Sequence, residues 1–460
     1  MRNKLAIAVA SILASAAASA ANVDLYISGA SAQSAFWKAD FGTSVCGGAG
    51  NIKTYKLSPD AGVTNPVSNE AWRCNAAAAV GTGVAIGDQV TVHYNSEFGT
   101  ISGVASLVRP SVAQRLYVNP DSTDCPAVAA GGTSQCAYLT YNNTTETHTS
   151  TSGNVMVVSP NTLPADVNVL DMEIKFWKEL DNWQTVPAFG LTPITDTEIA
   201  AIPATATVVN GQVFSVIANN SSPIAAKGNI SKASLMAIVT GAYDTWGKVP
   251  EVGGGNTTPI KLCRREQGSG TQVAASVFFT GKECGYSSTS YASVNTPLKL
   301  VGHISEETST GNVRTCVQGD TGAIGITSLS TNTNWTTLNI DGVQPNAHNA
   351  ASGMYQFAFE DIVYNNSANS GASQGAKDLA GLFITNARKV AGLSSQIEST
   401  ATQGANGQWT ATTRRSNYAL PIPGVNTKSV ANAASITQAV TALGYRAGDN
   451  CKVLFNSNLN

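Results

Sequence analysis

Apolar residues recur along this chain with two different periods, and the alternation between them predicts an α/β protein. Val23-Asp24-Leu25-Tyr26-Ile27 alternates at the strand period, and Ser28-Gly29-Ala30-Ser31-Ala32 is a turn of small residues. Gln33 to Phe41 then puts Phe36, Trp37 and Phe41 on one face of a helix. Strand, small-residue turn and helix together open an α/β unit. A second such unit follows: Pro259 to Cys263 reads as a strand, Arg264 to Thr271 as its loop, and Gln272 to Phe279 as the helix. Between the two, Val90 to Tyr94 alternates as a strand, Asn168 to Asp171 ends a buried strand, and Gly211 to Asn219 predicts another. Ser231 caps a helix over Lys232 to Val239, in which Leu235, Ile238 and Val239 follow helical spacing. Gly322 to Ile326 is a compact strand, Ala376 to Val390 and Ile436 to Leu443 are helical, and Trp409 to Pro423 reads as strands with turns. No fixed-period repeat is present.

Between Cys46 and about Pro164 the pattern loosens. Gly, Ser, Thr and Asn dominate there, and Asn142 to Gly153 is polar with no apolar period. This stretch reads as β-rich insertions into the α/β core, stapled by two disulfides.

Composition changes the picture in three ways. Met1-Arg2-Asn3-Lys4, an apolar run from Leu5 to about Ala18 and the small-x-small site Ala18-Ser19-Ala20 predict a signal peptide over residues 1–20, with the mature chain starting at Ala21. The run is too short to span a bilayer, no later one is long and apolar enough, and no cysteine at the cleavage site suggests a lipid anchor. The expected location is periplasmic or extracellular. Eight cysteines in an exported chain predict disulfides, which fall by neighbourhood into Cys46 with Cys74, Cys125 with Cys136, and Cys263 with Cys284, leaving Cys316 and Cys451. Charged residues make up only 12% of the chain and the net charge is −2, so no general attraction to nucleic acid or anionic lipid is expected and any anion site must be local. His93, His148, His303 and His348 are isolated and the cysteines scattered, which predicts neither a metal site nor a cofactor.

The sharpest chemical feature is Arg265-x-x-Gly268-Ser269-Gly270-Thr271. Glycines let backbone approach a ligand, hydroxyls and a helix start supply neutral donors, and Arg265 supplies a forked cationic donor. Two readings stand: an anion cradle, or a capped helix after a turn with Arg265 paired to Glu266 or elsewhere. Asp171, at the end of its strand, reads from the residues as a strand-end turn former. Gly268-Ser269-Gly270 does not match the G-x-S-x-G elbow and no histidine is marked as its partner, so an enzyme, a hydrolase in particular, is not expected. Trp72, Trp177, Trp183 and Trp246 read as packing groups, and Glu306-Glu307 as a solvated loop.

The Arg–Gly-Ser-Gly-Thr loop resembles that of the phosphate-binding proteins serving ABC importers, which have the type II periplasmic-binding-protein fold. Ile27 to Ala32, Tyr94 to Gly103, Asp166 to Asp171, Ser231 to Trp246 and Gly322 to Gly325 resemble further family segments in the same order. The resemblance implies two α/β lobes joined by crossing strands: a discontinuous lobe over 21–213 and 331–460, with the insertion at about 45–164, and a second lobe over 214–330. It implies a non-catalytic solute-binding protein that takes phosphate or a related oxyanion between the lobes and hands it to importer membrane subunits. Arg265, Ser269, Gly270 and Thr271 would donate from the second lobe, and Thr100, Asp171, Gln33 and Ser34 would act from the first. The chain departs from the family at Ser34, Leu170 and Gln267. A second expectation, suited to the low charge and the Ser, Thr, Asn and Gly content, is an extracellular surface or matrix protein using this fold as a scaffold.

Overall fold

A computed structural model describes residues 20–57, 69–96, 99–110, 116–136, 139–142, 147–150, 156–158, 164–178, 192–281, 284, 303–330, 332–388, 401–411, 417–418 and 449–452. The predicted signal peptide up to residue 19, the helix over Ile436 to Leu443 and Trp183 lie outside these residues.

Twelve strands carry the argument: β1 (Asn22–Gly29), β2 (Lys53–Leu57), β3 (Asn69–Asn75), β4 (Gln89–Asn95), β5 (Thr133–Cys136), β6 (Val167–Leu170), β7 (Ala206–Asn219), β8 (Lys261–Arg265), β9 (Ile304–Glu307), β10 (Ala323–Ser328), β11 (Trp335–Ile340) and β12 (Ala358–Asn365). They form one continuous sheet in the order β9-β8-β10-β7-β12-β6-β1-β4-β3-β2-β5, with β11 also on β7. Helices α1 (Ser34–Ser44), α2 (Thr100–Val108), α3 (Lys232–Val239), α4 (Gly270–Thr280), α5 (Thr310–Gln318) and α6 (Gln374–Ala387) are the ones that position the site or its surroundings.

β6, β1 and β4 are parallel, as are β10, β8 and β9. Their apolar runs bury Leu25, Ile27, Val90, Val92, Val167 and Val169 on one side of the molecule and Leu262, Ile324 and Ile326 on the other. Parallel strands need covered faces, and the helices supply the cover. Two antiparallel strands join the two groups. The first half of β7 pairs with β12, and its second half pairs with β10 and β11. β12 in turn pairs with β6. The chain therefore has the two-part α/β architecture read from the sequence, with β7 crossing between the parts. The inserted stretch adds β3, β2 and β5 beyond β4, so its β-character extends the same sheet.

Local signals worked where they were strong. α3 starts where predicted, because the Ser231 hydroxyl accepts from the Ser234 amide and so satisfies a first-turn donor. Trp72, Trp177 and Trp246 are fully buried packing groups. Glu306 and Glu307 are not in a solvated loop: they sit on β9, where Glu306 pairs with Arg264 of the neighbouring β8. A short strand with charged residues on its outer side carries little apolar signal, which is why it reads as loop.

Cysteine neighbourhood predicted two pairs correctly, Cys46–Cys74 and Cys125–Cys136. The third is corrected: Cys263 bonds Cys316, and Cys284 bonds Cys451. Cys263 lies on β8, and α5, which carries Cys316, packs over β8 and β10. Cys284 leaves β8 behind at the far end of α4 and meets the chain's C-terminal stretch across 167 residues. Loop closure becomes only slowly more costly with length, so nearness in sequence is a weak guide to pairing.

No helix among the described residues is long and apolar enough to cross a membrane, and no group of metal-ligating side chains is found among them.

Candidate functional site

α4 begins at Gly270, directly after β8 and the Glu266–Ser269 turn. Gly268 adopts a φ of 84°, the left-handed region that a glycine reaches without strain. Its carbonyl accepts from the Ile101 amide at 3.0 Å, which ties the loop to the first turn of α2. α2 is itself set by Gly99, whose φ is 76°. A Cβ at Gly99 would lie 3.3 Å from the Ser269 Cα and 3.4 Å from an Arg265 terminal nitrogen, so glycine here lets the two loops touch.

Into this contact comes Asp171, one residue past the end of β6. The Thr100 hydroxyl donates to the Asp171 carboxylate and accepts from the Gly270 amide at 3.2 Å. A Cβ at Gly270 would collide with that carboxylate, so the second glycine of the loop exists for close approach of an oxyanion group. The structure thus brings Thr100, Asp171, Ser269, Gly270 and Thr271 together, all buried. Helix N-termini favour negative charge, and a carboxylate occupies this one.

Arg265 adjoins the cluster and is 2% exposed. Its Nε donates to the Glu307 carbonyl at 3.1 Å, and one terminal nitrogen donates to the Thr308 carbonyl at 2.9 Å. The other reaches the Thr310 hydroxyl at 3.5 Å. Glu266 lies 3.7 Å away, the pairing that the bland sequence reading foresaw. Burial lowers the guanidinium pKa, opposed by the charges of Glu266 and Asp171. Burial raises the Asp171 carboxyl above its usual range, opposed by the Thr100 hydroxyl and by Arg265.

Gln33 and Ser34 behave differently. Ser34 is half-buried and spends its hydroxyl on the Ser31 carbonyl, inside its own turn. Gln33 points inward, and its amide donates to Asp361 Oδ2 at 2.6 Å. Asp361, on β12, is a buried residue that the sequence reading missed. Its signal was available: Glu360-Asp361 interrupts the apolar run from Phe357 to Tyr364. Burial first, then the charges of Asp171 and Glu360, push its pKa well above the carboxyl range. Asn210 and Gln212 of β7 and Gln272 of α4 are also buried, and none drew attention in the sequence.

The arrangement can hold or mimic an oxyanion at a helix start.

No curated protein sequence matches the chain. Among solved structures, it is similar to a phosphate ABC transporter substrate-binding protein with bound phosphate from Clostridium perfringens, at 13% identity over 84% of this chain and 99% of that one, with a TM-score of 0.43. It is similar to PstS from Borrelia burgdorferi at 13% identity over 81% and 96%, with a TM-score of 0.36. It is also similar to an ABC-type phosphate transport receptor from Vibrio cholerae at 18% identity over 48% and 73%, with a TM-score of 0.33. Residues 187–387, which run from before β7 through the Gly268–Thr271 loop to the end of α6, match the model of the PBP superfamily domain, so this part of the chain is similar to that family.

Proposed function

We propose that this chain is an exported, non-catalytic solute-binding protein that takes phosphate or a related oxyanion between its two lobes and passes it to an ABC importer. The lobes are residues 21–213 with 331–460, and 214–330. The observation that carries the reading is the meeting of Thr100, Asp171 and Gly270 at the start of α4, beside Arg265. Donors from both lobes converge there, and Asp171 adds an acceptor that favours a proton-bearing anion over a fully ionised one. Closing such a cleft around a ligand desolvates it, and opening would free the loop amides that now face Thr100 and Asp171.

One observation favours a second reading. Arg265 has its hydrogen bonds taken by Glu307, Thr308 and Thr310, and the Asp171 carboxylate rests in the cradle itself. A cradle satisfied from within also suits a protein that retains this fold as an extracellular scaffold.

Thermal unfolding of the oxidised protein with phosphate, with sulfate and with neither separates the two. A ligand at about a hundred times its dissociation constant adds ~2.7 kcal/mol of stability. The binding reading expects a phosphate-selective rise in Tm that Arg265→Ala abolishes. No rise, in protein refolded from denaturant to strip carried-over anion, sinks it and leaves the scaffold.

A further inference from the structure

β6 and β12 run antiparallel with Leu170 opposite Ile362, so the next residue, Asp171, comes opposite Asp361. A bulge in β7 between Val208 and Asn210 then sets Asn210 opposite Asp361 from the other side. Across three neighbouring strands, Asp171, Asp361 and Asn210 therefore lie in one row on one face of the sheet, and Gln212 follows two residues along the same face. Asp361 is fully buried, with Oδ2 held by Gln33 at 2.6 Å. Its Oδ1, and both polar side-chain atoms of Asn210 and of Gln212, have no hydrogen-bond partner among the described residues. Buried polar atoms are costly to leave unpaired, so a row of them running from the cradle points to a ligand or to a shared proton.

Two adjacent buried carboxyls cannot both ionise cheaply. Asp171 has the Thr100 hydroxyl and the charge of Arg265 to support a negative charge. Asp361 has one neutral amide, and around it stand Asp171, Glu360 and, from β4, Tyr94, whose hydroxyl donates to the Ala30 carbonyl. A proton kept by the pair is therefore better placed on Asp361 than on Asp171. We propose that Asp361, braced by Gln33, is a further specificity-determining residue of the interlobe site, a carboxylic acid that donates its Oδ1 proton to the bound oxyanion beside Asp171. The proposal rests on the anion-binding reading and deepens it. Asp171 accepts a hydrogen bond from the ligand, Asp361 gives one, and Asn210 and Gln212 extend the polar row.

The direction of the pH dependence follows. A bound anion favours the protonated form of Asp361, so binding takes up a proton wherever Asp361 is ionised in the unliganded protein. Affinity is retained at pH below that titration and falls about tenfold per unit above it. Asp361→Asn keeps an N–H donor of the same shape and removes the titration.

The test is calorimetric titration of the wild type and Asp361→Asn with inorganic phosphate, from mildly acidic to alkaline pH, in buffers of different ionisation enthalpy. Phosphate's own titration is common to both proteins and cancels in the comparison. The expected result is one proton fewer taken up by the variant at alkaline pH, together with a flatter loss of affinity. Parallel profiles and equal proton counts overturn the proposal. A wild type that does not bind phosphate refutes the function instead. Carboxyl carbon NMR of the unliganded wild type then decides about Asp361 independently, and without any need for the variant to fold. A carboxyl still protonated at neutral pH sustains the assignment, and an ionised one overturns it.

Discussion

Two stretches of this molecule are built alike and used differently. β1, Ser28–Ala32 and α1 make a strand, a small-residue turn and a helix, and β8, Glu266–Ser269 and α4 make the same sequence of parts. In the first, Gly29 takes a φ of 137°, and a Cβ there would drive into the Val169 carbonyl. The next amide, Ala30, donates to that carbonyl at 2.8 Å. The small residues thus weld β1 to β6, and the Ser34 hydroxyl closes the turn on itself. In the second, the space left by Gly270 is filled by a carboxylate from another element, and the Gly270 amide faces a hydroxyl from α2. One turn is packed against backbone and is structural. The other is packed against charged and hydroxyl groups, which a ligand would displace under the proposed function. A glycine-rich turn is a site only when what crowds it is an exchangeable polar group.

Single substitutions sharpen this contrast. Gly29→Ala forces both a strained φ and a clash with fixed backbone, so urea unfolding should show a loss of about 3 kcal/mol or more. The binding contrast between the two loops fails if this variant unfolds normally. Gly270→Ala meets side-chain atoms that can shift, and a smaller loss of about 1–3 kcal/mol is expected. Its signature is different: any phosphate-induced rise in Tm should vanish even under conditions where the variant is folded. A Gly270→Ala protein that still responds to phosphate as the wild type does would place the anion elsewhere. Ser34→Ala removes a half-buried hydrogen bond within one turn, with an expected cost of about 0.5–1.5 kcal/mol and no change in ligand response. A large effect on binding there would make the first turn a partner in the site after all.

Much of the fold was readable because its signals are local. The alternation in Val23 to Ile27, the helical spacing after Ser231 and the Gly-Ser-Gly-Thr stretch each state their conformation within a few residues, and the elements formed where expected. Thr100, Asp171 and the loop at Gly268 to Thr271 were named as one group and do meet. The uses of Gln33 and Ser34 were not readable. Both stand at the start of α1, and only the position of β12 decides that one reaches Asp361 while the other turns back to Ser31. The pairing of Cys284 with Cys451 was equally hidden, since it depends on where the end of α4 lies relative to a stretch far along the chain.

The sequence by itself determined the α/β class, the two strand–turn–helix units and the chemistry a Gly-Ser-Gly-Thr loop offers, because backbone preference and hydrophobic period act over a turn or a strand. The tertiary structure alone decided which carboxyls face each other. Asp171 and Asp361 become neighbours only through the antiparallel register of β6 and β12, and Asn210 joins them only through a one-residue bulge. Register is set by the packing of whole strands against a common core, and a slip of one residue would turn the same side chains to the opposite face.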